Sequence, residues 1–265
     1  MERKVVLITG GAQGQGRLHA IKFAQNGYNV TLGDMQDPSS ETFAATVKEL
    51  NDLGAEVVAM KCDVTSSEEM EALFKASWDK FGRLDVCIAN AGIMTFGLTW
   101  ELTDEQVQKT IDINLIGAWR TDKEAAKYML KQGFGRIINI SSTAGLKASP
   151  NLCHYAMAKF GLMGLTKSLA KEVAKKGITV NAICPSMVKS PMTEQPAFLG
   201  HIKYTTGMEF HSFEEMDKGL SPKRPMGIAF IDPQDVSDMC FWVGDSHEAR
   251  LISGAALGLD AGSLI

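Results

Sequence analysis

The feature that most constrains the fold is an alternation of short apolar runs with helical patterns, which starts near the beginning of the chain. Residues 4–9 (KVVLIT) form a β-branched run that is typical of a strand buried on both faces. A glycine-rich turn follows at residues 10–16 (GGAQGQG), and Leu18, Ile21 and Ala24 then recur at helical spacing. A buried strand, a tight turn and an amphipathic helix in this order predict one strand–helix unit of a parallel sheet.

The same alternation continues through the rest of the chain. Ser66 with Glu69 and Thr103 with Gln106 have the spacing of capping boxes and indicate two of the helix starts. Further strands are predicted at residues 29–33, 56–61, 86–89, 136–140, 179–183 and 256–259. We therefore predict an α/β fold over residues 1–265, a single-domain, Rossmann-type, doubly wound parallel sheet of about seven strands with helices on both faces.

Composition and charge narrow the classes of function. Hydrophobic residues make up 45% of the chain and charged residues 22%, as in ordinary soluble proteins. The formal net charge of −4 leaves no basic stripe for nucleic acid, and no apolar run reaches the roughly 18 residues that span a bilayer. No signal peptide is evident, and the five cysteines are scattered without metal-ligand spacing. We expect a cytoplasmic protein with free thiols, no metal site, and no nucleic-acid or membrane partner.

The glycine turn predicts a dinucleotide site. Gly10, Gly14 and Gly16 lie between a strand and a helix, where glycine lets the backbone approach a pyrophosphate at the helix N-terminus. Asp34 ends the second strand about twenty residues later. A carboxylate there can accept hydrogen bonds from both ribose hydroxyls of NAD and repels the 2′-phosphate of NADP. The alternatives are an ordinary turn and a solvated aspartate; we predict NAD in preference to NADP.

Polar residues that follow later strands point to the same edge of the sheet. Asp63 follows the third strand, where a carboxylate can meet the adenine amino group, and residues 90–92 (NAG) follow the fourth. Asn114 lies on an apolar helix face, where a buried amide must be hydrogen-bonded, so it is either a structural plug or part of a polar relay. Tyr155 and Lys159 are four residues apart and would share one helix face. A phenol beside an ammonium is a possible acid–base unit, although such pairs are more often structural.

These motifs together resemble the short-chain dehydrogenase/reductase family over almost the whole chain. In order, they are TGxxxGxG at residues 9–16, NAG at 90–92, Asn114, Ser142, YxxxK at 155–159 and the proline turn at 184–190. GQGRLHA (14–20), WELTDEQ (100–106) and GLKASPNLCHY (145–155) resemble the carveol-dehydrogenase-like subgroup. The chain is also similar to hydroxysteroid dehydrogenases.

The chain departs from the family pattern in three places. Pro185-Ser186 stands where Pro-Gly is usual, and Ser190 replaces a threonine near the end of that turn. After Asp34 the chain has only MQDP at residues 35–38, without the subgroup's cofactor-covering insertion. We therefore expect NAD to exchange in the ordinary way and not to stay permanently buried.

The resemblance implies a role for each matching residue. Tyr155 would be the general acid/base, and Ser142 would orient the substrate oxygen. Lys159 would bind the nicotinamide ribose and lower the pKa of Tyr155, while Asn114 would hold a water of a proton relay. The implied cofactor contacts are Gly10, Gln13, Gly14, Gln15, Gly16, Asp34, Met35, Asp63, Val64, Asn90, Ala91, Gly92, Tyr155, Lys159, Pro185, Ser186, Val188 and Ser190.

Residues 190–231 break the rhythm of strands and helices and lie where the family places its substrate lid. They are rich in methionine and aromatic side chains, which favours an apolar ligand; packing of short helices on the core is the alternative. We expect a bulky alicyclic secondary alcohol or its ketone, such as a hydroxysteroid or terpene alcohol. The predicted substrate contacts are Met94, Phe96, Ala144, Leu146, Met192 and Phe198.

Two other functions use the same motifs. A 3-oxoacyl carrier-protein reductase shares them, but Asp34 disfavours the NADP preference that would support that activity. A non-catalytic dinucleotide-sensing protein keeps the fold without the chemistry, and the complete catalytic set argues against it. The resemblance also implies a homotetramer.

Overall fold

The strands of the sheet are all parallel in the computed structural model, which describes residues 3–265. Within those residues they are β1 (Val5–Thr9), β2 (Asn29–Asp34), β3 (Val57–Lys61), β4 (Val86–Ala89), β5 (Gly135–Ile140), β6 (Ile178–Pro185) and β7 (Ala256–Leu259). Their spatial order is β3-β2-β1-β4-β5-β6-β7. The chain order reverses between β1 and β4. The crevice at the carboxyl ends of two such strands is where doubly wound folds bind ligands.

The helices connect these strands. They are α1 (Gly14–Gln25), α2 (Glu41–Asp52), α3 (Ser67–Phe81), α4 (Asp104–Ile111), α5 (Gly117–Gln132), α6 (Cys153–Val173), α7 (Pro196–Thr206), α8 (Phe213–Leu220) and α9 (Pro233–Asp245). A π-helical turn, Asp112–Ile116, joins α4 to α5. No helix within residues 3–265 combines the length and apolarity that crossing a bilayer demands.

Two hydrophobic clusters cover the two faces of the sheet. Successive side chains of β1 point to opposite faces, so Val6 and Ile8 pack with α1, α2 and α9. Val5 and Leu7 pack instead with α3, α5 and α6. All four side chains are fully buried, as expected for a parallel strand covered on both faces. The predicted fold class is confirmed.

The two predicted capping boxes differ in the structure. Thr103 and Gln106 bond reciprocally through side chain and backbone at the start of α4. The Ser66 hydroxyl accepts a hydrogen bond from the Glu69 amide, but the Glu69 carboxylate accepts from the Asp63 amide. The Ser66 amide already donates to the Asp63 carbonyl, so the Glu69 carboxylate does not bond it and accepts from the Asp63 amide. The helix start is therefore confirmed, while the reciprocal box at Ser66 is wrong.

Candidate active site

A cavity of about 720 Å³ lies at the carboxyl ends of the strands, where the strand order reverses. It is bordered by every residue predicted to be catalytic, namely Asn114, Ser142, Tyr155 and Lys159. It is also bordered by the predicted cofactor contacts Gly10, Gln13, Gly14, Gln15, Gly16, Asp34, Met35, Asp63, Val64, Asn90, Ala91, Gly92, Pro185, Ser186, Val188 and Ser190. The fold therefore brings residues from widely separated parts of the chain around one space. Residues 3–265 contain no cluster of three or more His, Cys, Asp or Glu side chains that could hold a metal ion.

The glycine turn requires glycine for two different reasons. Gly10 and Gly14 have φ angles of +67° and +56°, in the left-handed region that side chains disfavour. A Cβ on Gly16 would lie 2.0 Å from the Gly10 carbonyl oxygen, so no side chain fits there. A Cβ on Gly14 would meet no atom within 4 Å, which leaves open space beside the turn. The turn thus presents bare backbone and an open cradle at the N-terminus of α1, a suitable place for a pyrophosphate.

Asn90 and Thr9 tie the turn to the end of β4. The Asn90 amide nitrogen Nδ2 donates to the carbonyls of Thr9 and Gly10, at 3.0 and 3.1 Å. The Thr9 hydroxyl accepts from the amides of Asn90 and Ala91, at 3.2 and 3.3 Å. The side chain of Asn90 therefore holds the two strand ends in register below the glycine turn.

Asp34 is fixed at the opening of the cavity by two backbone amides. Its Oδ2 accepts from the Ala12 amide and its Oδ1 from the Gln36 amide, both at 3.0 Å. Each carboxylate oxygen has a second lone pair, so the group can still accept from the hydroxyls of a ribose. Asp63 is held in a similar way, because its Oδ1 accepts from the amide and hydroxyl of Thr65, both at 2.8 Å.

Tyr155 and Lys159 lie one turn apart on α6, and both are buried. Burial raises the pKa of Tyr155 to about 12, and a hydrogen bond with Ser142 opposes that rise. Burial lowers the pKa of Lys159 to about 8. The Lys159 ammonium donates to the Ile140 carbonyl at 2.8 Å and lies 5.5 Å from the centre of the Tyr155 ring. In the chain alone burial therefore dominates the pKa of Tyr155, and the lowering expected from Lys159 stays a prediction.

Asn114 lies in the π-helical turn and bonds the chain that leaves β4. Its Oδ1 accepts from the Ile93 amide and its Nδ2 donates to the Ile93 carbonyl, both at 2.8 Å. A Cβ on Gly92 would lie 2.8 Å from that Oδ1, so the close approach requires glycine. These bonds agree with the first of the two predicted alternatives, in which Asn114 is a structural plug. Asn114 also borders the cavity.

The unusual Pro185-Ser186 turn is unstrained. Among residues 3–265, only Asn151 and Ala261 have positive φ angles without being glycine, so Ser186 does not occupy a backbone conformation that favours glycine. Its amide donates to the Leu259 carbonyl at 3.0 Å. The Ser190 amide donates to the Thr193 hydroxyl at 3.1 Å, which orders the start of the following segment.

The segment from 190 to 231 forms α7 and α8 and has a small hydrophobic core of its own. The buried members of this core are Phe198, Ile202, Met216, Leu220, Ala229 and Phe230. Much of the apolar character predicted for a ligand is therefore packing between these helices, which was the stated alternative. Tyr204 and Met226 are 54% and 66% exposed.

The predicted substrate contacts divide into two groups. Met94, Ala144, Met192 and Phe198 border the cavity. Phe96 does not; it packs edge-on against Phe198 and stacks on His201. Leu146 does not border it either and is 38% exposed. The sequence interpretation missed further cavity residues: Met187, His201, Ile202, Thr205, Thr206 and Arg224. The helical spacing of positions 198, 201, 202 and 205 is the signal that could have indicated three of them, His201, Ile202 and Thr205.

Comparison with known proteins agrees with this geometry. A model of the short chain dehydrogenase family matches residues 4–197. The chain belongs to this family. It is therefore an oxidoreductase of the dehydrogenase/reductase type, as the motifs predicted.

The chain aligns with three relatives over nearly the whole length of both proteins. An uncharacterized NAD-dependent oxidoreductase of Mycobacterium tuberculosis is 37% identical, over 98% of this chain and 96% of the relative. (−)-trans-Carveol dehydrogenase of Rhodococcus erythropolis is 33% identical, over 100% and 99%. The 3-oxoacyl-[acyl-carrier-protein] reductase of Thermotoga maritima is 32% identical, over 100% and 99%.

Two solved structures are similar over the whole fold. Carveol dehydrogenase from Mycobacterium avium in complex with NAD superposes with a TM-score of 0.92 at 31% identity, covering 100% of this chain and 98% of that one. A single-residue variant of actinorhodin polyketide ketoreductase with NADPH gives a TM-score of 0.88 at 33% identity, covering 99% and 98%. The fold is thus compatible with either nicotinamide cofactor.

Proposed function

We propose that the protein interconverts a bulky, apolar, alicyclic secondary alcohol and its ketone by NAD(H)-dependent hydride transfer. One observation carries the proposal. The hydroxyls of Tyr155 and Ser142 border a cavity that has the glycine turn and Asp34 on one side and apolar residues of α7 on the other.

The residues present fit a dinucleotide. The open cradle at Gly14 and the N-terminus of α1 would hold the pyrophosphate, and Asp34 would accept from the adenosine ribose. Lys159 would hold the nicotinamide ribose beside Tyr155. When bound, the cofactor supplies or accepts the hydride.

Tyr155 exchanges a proton with the substrate oxygen, and Ser142 donates a hydrogen bond that orients this oxygen. Bringing the pKa of Tyr155 from about 12 to near 7 takes about 7 kcal/mol. A cation at about 4 to 5 Å contributes about 3 to 4 kcal/mol at an effective dielectric of about 20. Lys159 is already in place in the chain whose Tyr155 pKa is about 12, so one such contribution would come from the positive charge of the oxidised nicotinamide ring and would account for about half of the change.

Two features support NAD and the substrate class. Asp34 would place a carboxylate against the 2′-phosphate of NADP. Met94, Met187 and Met192 give the cavity flexible apolar walls, which suit a bulky hydrocarbon. The carveol dehydrogenase relatives agree with both assignments.

We also propose a cytoplasmic homotetramer that uses α5 and α6 as interfaces. Trp119 on α5 and Met157 and Phe160 on α6 are 44%, 56% and 46% exposed, a high exposure for large apolar side chains. Their burial against a second copy would remove this surface from water. Sedimentation equilibrium measures the state of assembly.

The experiment is a co-substrate screen that follows absorbance of NADH and NADPH with monocyclic terpene alcohols, hydroxysteroids and acetoacetyl thioesters. We expect NAD-dependent oxidation of alicyclic alcohols. Tyr155→Phe should lose turnover by about 10² to 10⁴-fold and still bind NADH, because the phenol hydroxyl moves a proton and the ring packs as before. Full activity in Tyr155→Phe would overturn the assignment.

A 3-oxoacyl reductase is the second candidate, favoured by the Thermotoga maritima relative. If acetoacetyl thioesters turn over with NADPH and not with NADH, that function would be established in place of the proposed one. Tight NADH binding without turnover of any compound would instead indicate a dinucleotide sensor.

A further inference from the structure

His201 has no assigned part in the chemistry above, yet it borders the cavity on the inner side of α7. It is only 7% exposed, and its Nδ1 is buried without a hydrogen-bond partner. Its Nε2 also has no partner within residues 3–265, and this atom is not buried. Nε2 is therefore the accessible nitrogen of a ring that borders the cavity.

The imidazole ring is held in a fixed orientation. It stacks on Phe96 with a centroid distance of 4.9 Å and an interplanar angle of 25°. Phe198, one turn earlier on α7, lies 6.1 Å from it, centroid to centroid. A polar side chain that is locked by aromatic contacts loses little further freedom when it binds a ligand, so it discriminates efficiently between ligands.

Burial also defines what the ring can offer. It lowers the pKa of His201, so the imidazole is neutral near pH 7 and carries one N–H. A buried N–H without an acceptor costs more than a bare lone pair, so the proton belongs on Nε2. The ring thus presents a hydrogen-bond donor to an otherwise mainly apolar space.

Thr205 extends this polar strip by one helical turn. It borders the cavity, and its hydroxyl donates to the His201 carbonyl at 2.9 Å. Its proton is thereby engaged, and its oxygen can accept a hydrogen bond from a ligand. Phe96 packs both with the cluster around Tyr155 and with the core of α7 and α8, so one aromatic side chain lies between the strip and the catalytic hydroxyls.

We propose that His201 is a specificity-determining residue that donates a hydrogen bond to a second oxygen of the substrate, distinct from the oxygen that reacts at Tyr155. The inference rests on the proposed function and narrows its substrate class to alicyclic alcohols and ketones with a further keto, hydroxyl or ether group. A purely hydrocarbon ring would leave the Nε2 donor without a partner, and this loss disfavours it.

The test compares kcat/KM for matched substrates with and without the second oxygen. One pair is cyclohexane-1,4-dione and cyclohexanone, corrected twofold for the symmetry of the dione. The other is androsterone and its analogue without the 17-keto group, which extends the spacing to a whole steroid. We expect the oxygenated member of at least one pair to be preferred by about tenfold, the value of one neutral hydrogen bond.

The variants separate recognition from structure. His201→Phe preserves an aromatic stack on Phe96 and should reduce the preference to about one, while His201→Gln, which keeps an N–H donor, should retain part of it. His211→Phe changes an exposed histidine outside the cavity and should leave the preference unchanged. If His201→Phe lowers kcat/KM equally for both members, His201 is structural and the inference is wrong.

Failure of the proposed function gives a different pattern, in which none of the four compounds turns over. The inference is then decided by calorimetry of their binding to the protein with NADH. Tighter binding of the oxygenated member to the wild type, lost in His201→Phe, supports it. Equal binding of both members to the wild type overturns it.

Discussion

Replacing Asp122 with asparagine should make the protein more stable at alkaline pH and change the pH dependence of its stability. Asp122 lies on α5 and is 1% exposed. Its Oδ2 accepts from Nδ2 of Asn139 at 3.0 Å, while its Oδ1 and the Oδ1 of Asn139 have no partner. Burial raises the pKa of Asp122 from 3.8 to about 7, although the hydrogen bond from Asn139 opposes the rise.

The direction follows from proton linkage. Because the pKa of the folded state is higher than that of the unfolded state, the folded protein binds more protons between pH 4 and 7. The stability contribution of Asp122 is therefore fully present below about pH 4 and is lost as pH rises to about 7. The difference between the two pKa values corresponds to about 4 kcal/mol. Asparagine does not titrate, so the free energy of unfolding of Asp122→Asn should not show this loss.

The assay is the melting temperature of both proteins from pH 5 to pH 8.5. The loss begins near pH 4, so about 3 kcal/mol of it falls between pH 5 and pH 8.5. For a chain of this size a stability change of 1 kcal/mol shifts the melting temperature by roughly 2 °C, so the difference between variant and wild type should grow by about 5 °C. Asp52→Asn, which alters a mostly exposed carboxylate at the end of α2, is the control and should show no such trend. A difference for Asp122→Asn that does not change with pH would refute the reasoning.

Two other predictions concern the cofactor side of the cavity. Asp34→Ser removes a negative charge from the proposed ribose position and should raise the ratio of kcat/KM for NADP to kcat/KM for NAD by about tenfold or more. Asp37→Ser lies outside the cavity and should leave this ratio unchanged. An unchanged ratio for Asp34→Ser contradicts the assignment. Gly16→Ala places a Cβ 2.0 Å from the Gly10 carbonyl oxygen and should weaken NADH binding by about tenfold or more, measured by fluorescence titration. Gly164→Ala, with open space around the added atom, is its control, and normal NADH binding by Gly16→Ala would contradict the predicted clash.

The fold could be predicted because its determinants are local. A strand buried on both faces is written as a continuous apolar run, and Thr103 with Gln106 is a cap that depends on four residues alone. The cavity residues that follow strands could be predicted for a related reason, since the carboxyl ends of parallel strands meet at one edge of the sheet. Asp34 and residues 90–92 are of this kind.

Other properties depend on neighbours that are distant in sequence. The pKa of Tyr155 rises because the side chain is buried in the assembled cavity, and its four-residue spacing from Lys159 gives no information on that burial. The sequence pattern did not indicate His201 and Thr205 as cavity residues, because the methionine and aromatic side chains dominate the composition of residues 190–231. Phe96 was predicted to contact the substrate, but it lies behind the cavity surface and stacks on His201, which only the packing shows. In each case the sequence names the residue, and the tertiary contacts decide its role.

The core of α7 and α8 has a consequence for how new activities can arise in this protein. The family match ends at residue 197, where α7 has just begun, so the matched part of the chain contains Tyr155 and the glycine turn but almost none of α7, which borders the cavity opposite them. Because Phe198 and Met216 are buried in a cluster separate from the two that cover the sheet, this wall can be rebuilt by substitution without disturbing the packing of the sheet. Exchanging residues 196–231 between relatives should therefore change the substrate preference while leaving the glycine turn and Tyr155 unaltered.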